Sequence, residues 1–107
     1  MKLGIIRCMQ TEDTCPGTGD FKAAREKTGG FEGVEEEIEV IGFISCGGCC
    51  GKKAVSRAAE MVKRGATAIA FATCMSKGVF PCPFEQKIKD AVKAKLGDGI
   101  RYFDRTH

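Results

Sequence analysis

A short apolar run recurs four times along this chain, and nothing else in the sequence restricts its fold so strongly. The runs occupy 2–7, 38–45, 68–73 and 100–104, and each reads as a β-strand because aliphatic and β-branched residues dominate it. Cys8, Cys46 and Cys74 directly follow the first three, and Thr106-His107 follow the fourth. Gaps of 38, 28 and 33 residues separate these four markers, about one strand-plus-helix unit each.

The segments between the runs supply helices. Ala54, Val55, Ala58, Ala59 and Val62 form an apolar stripe at helical spacing, and Gly65 supplies the stop. Phe84, Ile88, Ala91, Val92 and Leu96 form a second stripe, with Gly97 ending it. Pro83 reads as the first helical residue there and Cys82 as its cap. The least regular helix covers 21–27, with Asp20 as the expected cap and Gly29-Gly30 as the stop. Alternation of this kind implies an α/β protein: a three-layer, open parallel sheet of about four strands with helices on both faces. Right-handed crossovers make the flavodoxin- or Rossmann-like strand order 2-1-3-4 the expected one. That order opens a ligand crevice between strands 1 and 3, at the carboxyl edge where Cys8 and Cys74 stand.

A length of 107 residues predicts one domain, 1–107. No run approaches the roughly 18 apolar residues of a membrane span. The amino-terminal residues lack the apolar core and small-residue cleavage site of a secretion signal, so a cytoplasmic protein with reduced thiols is expected. Seven cysteines cannot all pair within one chain, and metal binding or thiol chemistry is favoured over a disulfide framework. The net charge of +3 is mild, and Glu35-Glu36-Glu37 offsets the basic residues locally. Solvated surfaces, and neither a nucleic-acid nor a membrane partner, are expected.

The sharpest motif is Ser45-Cys46-Gly47-Gly48-Cys49-Cys50-Gly51-Lys52-Lys53. Cys46 and Cys49 are spaced to ligate one metal ion, and Gly47-Gly48 allows the tight turn and exposes backbone N–H groups to a bound group. The same Cys-x-x-Cys ahead of a helix is also the redox arrangement, in which the helix terminus and Lys52 favour a thiolate. Spacing alone leaves both open. The loop 74–83 repeats the design, with Cys74 ending a strand and Cys82 opening the next helix. Cys8 and Cys15 stand in the same relation more loosely.

Taken together, Cys8-x-Gln-Thr-Glu-Asp-x-Cys15-Pro-Gly, Ser-Cys46-Gly-Gly-Cys49, Cys74-x-x-Lys77-Gly78, Pro-Cys82-Pro and Thr-His107 resemble the CGGC-domain family. The resemblance covers essentially the whole chain in the same order. It implies a small prokaryotic or archaeal metal-binding protein, zinc being the metal proposed for the family, and it brings no reaction with it. Cys8, Cys15, Cys46, Cys49, Cys74, Cys82 and His107 are the matching positions. Cys50 stands where the family carries proline, so the resemblance gives it no essential role.

The leading expectation is a thiolate-rich metal site at the strand ends, binding zinc or, alternatively, an iron–sulfur cluster. Cys8, Cys46, Cys49 and Cys74 are the expected ligands, with Cys15, Cys82 and His107 as secondary candidates. His107 lies beyond the fourth strand and reads more readily as a frayed end than as a ligand. The competing expectation is a metal-free thiol/disulfide oxidoreductase or redox sensor, with Cys46, Cys49 and Lys52 as its catalytic candidates. A phosphatase-like reading is weaker, because Lys52 stands where bidentate phosphate capture favours arginine.

Overall fold

A computed structural model describes residues 1–77 and 81–107. Gly78 of the Cys74-x-x-Lys77-Gly78 motif lies outside the described residues. Four parallel strands, β1 (Lys2–Arg7), β2 (Glu39–Ser45), β3 (Ala68–Phe71) and β4 (Arg101–Phe103), form one sheet in the order β2-β1-β3-β4. The expected class and strand order both hold. The reason is the one read from the sequence: short apolar runs separated by helices pair in parallel, and crossovers of one hand dictate which face each helix covers.

Helix α1 (Thr18–Glu26) and a 3₁₀ turn at Gly29–Phe31 cover one face. Ala23, Ala24, Phe31 and Val34 pack there against Leu3, Ile5, Ala68, Ala70 and Phe103. Helices α2 (Ala54–Lys63) and α4 (Glu85–Leu96) cover the other, where Ala54, Ala58, Met61, Ile88 and Val92 meet Ile6, Ile69 and Phe71. Met61 sits on a glycine pair. Gly4 and Gly42 are opposite each other in the β1–β2 register, and a Cβ on either would stand 2.7 Å from the Met61 sulfur. Among the described residues, no helix is long and apolar enough to cross a membrane.

Four boundaries differ from the sequence reading. Helix α1 begins at Thr18, with Gly17 at its amino-terminal flank, so Asp20 lies inside the first turn and is buried. Its carboxylate is spent on a tertiary partner instead of the helix's own N–H groups. The same helix ends at Glu26, with Lys27 in the left-handed conformation, before Gly29-Gly30 is reached. Helix α4 starts at Glu85, because Pro83 and Phe84 complete a turn in which the Glu85 N–H bonds the Cys82 carbonyl. Strand β3 stops at Phe71 because the chain turns at Ala72-Thr73 into a four-residue helix, α3 (Cys74–Lys77). So short a helix has no periodicity to announce it.

Candidate metal centre

The register of the sheet brings the first two thiols together. Arg7 is paired with Ser45, and the Cys46 N–H donates to the Arg7 carbonyl at 2.8 Å. Cys8 and Cys46 are therefore cross-strand neighbours on the α2/α4 face, and both are buried. Beyond Cys46 the chain makes a glycine turn closed by the Gly51 N–H on the Gly48 carbonyl at 2.8 Å. Arg57, one turn into α2, anchors the turn's entry by donating from Nη1 to the Ser45 carbonyl at 3.2 Å and hydroxyl at 3.0 Å. Gly51 is needed at its position: its φ is +82°, and a Cβ would fall 2.4 Å from Ile88 Cδ1.

Cys8, Cys46, Cys49 and Cys82 line one cavity of about 260 Å³, together with Gly48 and Gly51. Met9, Pro81, Pro83 and Ile88 make the rest of its wall mainly apolar, and Gln10 supplies a polar side chain. Cys49 is exposed at the rim. The Gln10 amide points to its sulfur, with Nε2 at 3.9 Å. Cys82 is fixed by its own N–H, which donates to the Met75 carbonyl at 2.8 Å.

Cys74 ends up beside this cavity and is not part of its lining. The Thr11 hydroxyl, which donates to the Cys8 carbonyl at 2.9 Å, lies 3.7 Å from the Cys74 sulfur. Cys15 is partly buried on the α1 side, where its carbonyl accepts from Arg7 Nη2 at 2.7 Å. Cys50 and Lys52 do not line the cavity, and Lys52 is exposed in the turn ahead of α2. Helix α2 begins only at Ala54, so Cys49 is several residues short of its first turn.

His107 is held elsewhere, on α1 and the end of β3. Its backbone N–H donates to Thr73 Oγ1 at 2.9 Å, and the Thr73 hydroxyl donates to its carbonyl at 2.8 Å. Its ring nitrogen Nε2 is 3.7 Å from Asp20. The neighbouring Thr106 is fully buried; its hydroxyl donates to Asp20 and accepts from the Thr73 N–H at 3.3 Å. Its carbonyl accepts from the Gly30 N–H at 2.9 Å. Gly30 is glycine because a Cβ would collide with the Arg105 carbonyl at 2.0 Å. The segment read as a frayed end is thus tied to three elements. Sequence reasoning missed this cluster because Asp20 also satisfies the pattern of a helix cap.

The electrostatics of the cavity are those of crowded thiols. Burial pushes the Cys8 thiol above its ordinary pKa, against a hydrogen bond from the Gln10 backbone, and the nearby Cys46, Cys74 and Cys82 add to the rise. Burial likewise raises Cys82, opposed by the Phe84 N–H and reinforced by Cys46, Cys49 and Glu85. Negative charge is disfavoured here unless a cation compensates it. Among the described residues, no three His, Cys, Asp or Glu side chains already form a ligating cluster. The four cavity cysteines are instead donors on three separate loops facing a shared space.

A protein of Methanocaldococcus jannaschii, "Uncharacterized protein MJ0582", is 40% identical to the chain over 81 residues. The match spans 69% of this chain and 62% of that relative, so less than two thirds of the relative is covered. "Uncharacterized protein MJ0766" of the same organism is 34% identical over 58 residues, 53% of this chain and 86% of the relative. No solved structure matches at comparable stringency. The sequence model of the CGGC domain matches residues 2–107, and the chain belongs to the CGGC domain family.

Proposed function

We propose that this chain is a metal-binding protein with a thiolate-rich site at the carboxyl ends of its parallel strands. Zinc is the proposed ion, held by Cys8, Cys46, Cys49 and Cys82. One observation carries the reading: four cysteines from three loops line one small, mostly apolar cavity. Sulfur-only donors in this number suit tetrahedral zinc, and they would equally serve an iron–sulfur cluster. Closing the site requires exposed Cys49 and partly buried Cys82 to rotate toward the buried Cys8–Cys46 pair. The glycine turn provides the freedom for this at Cys49. Cys74, beside Cys8, is the alternative fourth ligand. Cys8 and Cys82 would be held as thiolates by the positive charge that zinc would supply when bound. Gln10 would orient the Cys49 sulfur, and Thr11 the Cys74 sulfur where Cys74 is the fourth ligand. A reducing, cytoplasmic setting accords with seven free thiols.

The test is elemental analysis with a visible spectrum, on protein purified without oxygen. Colourless protein with one zinc per chain is the expected result, and brown, iron-containing protein would shift the reading to a cluster. Absence of both, after incubation with either metal, would overturn it. Cys82→Ser should weaken binding more than Cys74→Ser; the reverse order would exchange their roles.

A second reading is favoured by the contrast between exposed Cys49 and buried Cys46. In thiol–disulfide exchange, the Cys49 thiolate would attack a substrate disulfide and release one thiol. Cys46 would then displace the second thiol, leaving a Cys46–Cys49 disulfide. Metal-free protein that reduces a model disulfide, and loses this with Cys49→Ser, would support it.

A further inference from the structure

The two edges of the sheet are built differently. Strand β4 is three residues long and begins with Arg101, which is paired with Glu36 at 3.4 Å. Short length and charge are the usual defences of an exposed edge. Strand β2 has seven residues, pairs among the described residues with β1 alone, and carries neither proline nor any charge after Glu39. The register shift in the β1–β2 pairing, where Ile41 is skipped, leaves 42–45 as its regular run. Beside that run lies a mostly apolar groove of about 290 Å³, in which Ile41, Phe43, Ile44 and Met61 meet Arg57 and the Glu60–Arg64 ion pair.

The charges at the two ends of this edge are opposite. Glu39 is exposed at its start. At its far end, a Cβ on Gly47 would touch Lys53 at 2.6 Å and the Arg57 guanidinium carbon at 3.2 Å. None of Glu39, Lys53 and Arg57 forms an ion pair among the described residues. A two-fold axis near Phe43 lays one β2 antiparallel to another. Glu39 of each copy then falls beside Lys53 and Arg57 of the other, twice by symmetry. Such self-complementarity is what an isologous interface requires.

We propose that a second copy of this chain docks on the β2 edge, joining two sheets into one continuous eight-stranded sheet. Backbone N–H and C=O groups of the two β2 strands pair across the axis. The grooves close on each other, and the two acid–base pairs fix the antiparallel direction. The two thiol cavities stand at opposite ends of the assembly.

The experiment is light scattering coupled to size exclusion across a concentration series, with reductant and chelator present to exclude disulfide- or metal-linked pairs. A dimer that weakens with salt is expected. Glu39→Lys, an exposed substitution, should weaken self-association about tenfold or more while leaving the thermal midpoint of the monomer unchanged. A Lys53→Glu variant puts acid at the start of α2, where the helix dipole favours it. Mixed with Glu39→Lys, it should restore part of the association as a heterodimer, because both 39–53 pairs are again opposite in sign while Arg57 is unchanged. Wild-type protein that stays monomeric to high micromolar concentration would overturn the proposal. So would a dimer indifferent to Glu39→Lys, or a mixture of the two variants that fails to associate.

Discussion

At the scale of single residues, burial and neighbouring thiols raise the pKa values of Cys8 and Cys82 and favour their protonated forms. Their pKa values are raised on folding. Their contribution to stability is therefore complete below the ordinary thiol pKa of about 8.5 and is lost as pH climbs through the folded values. Metal-free protein should accordingly lose stability to urea as pH rises above about 8.5, and Cys8→Ser should flatten that slope. Alkylation followed by mass spectrometry at neutral pH should label exposed Cys49 well before Cys8 or Cys82. Equal labelling of all three would contradict the burial described here. The candidate thiols were legible because strand ends in a parallel sheet share one edge, which placed Cys8 and Cys46 together from spacing alone. That Cys82, and not Cys74, lines the cavity was not legible. Cys74 and Cys82 sit in the same loop, and side-chain direction there depends on α3, whose four residues carry no pattern.

Among the elements, the contact of α2 with the sheet is the most exacting, since Met61 lies over two facing glycines. Met61→Ala should leave a void above Gly4 and Gly42 and cost about 2–5 kcal/mol in a urea titration. A cost under about 1 kcal/mol would mean that the helix settles onto the sheet to fill the space. The strands and both long helices were readable for the same reason that this contact is tight. Their apolar residues recur at the period of the element, and small residues fall where helix and sheet approach most closely. The starts of α1 and α4 were misplaced because Asp20 and Pro83 each suit more than one local role. Tertiary bonding decided between those roles in one case and turn geometry in the other.

For the molecule as a whole, the far-separated pair Asp20 and Thr106 closes the structure, with Thr73 between them at the end of β3. Asp20→Ala should leave buried hydroxyl and amide groups without their partner network and lower stability by about 1–3 kcal/mol. Asp20→Asn, which still accepts from Thr106, should lose less. Amide exchange at Gly30, whose N–H rests on the Thr106 carbonyl, should quicken in the alanine variant. Unchanged exchange there would show that the clasp does not hold the segment. The clasp also bears on how the chain reaches this fold as it is synthesised. Helix α1 lies near the amino terminus, but its carboxylate meets its partner 86 residues later. Until residues 104–107 have cleared the ribosome, α1 has an acid aimed into its apolar face with nothing to receive. Docking of α1 is thus expected to tighten only once the fourth strand is present, and faster amide exchange over 18–26 in a chain truncated before residue 104 would check it.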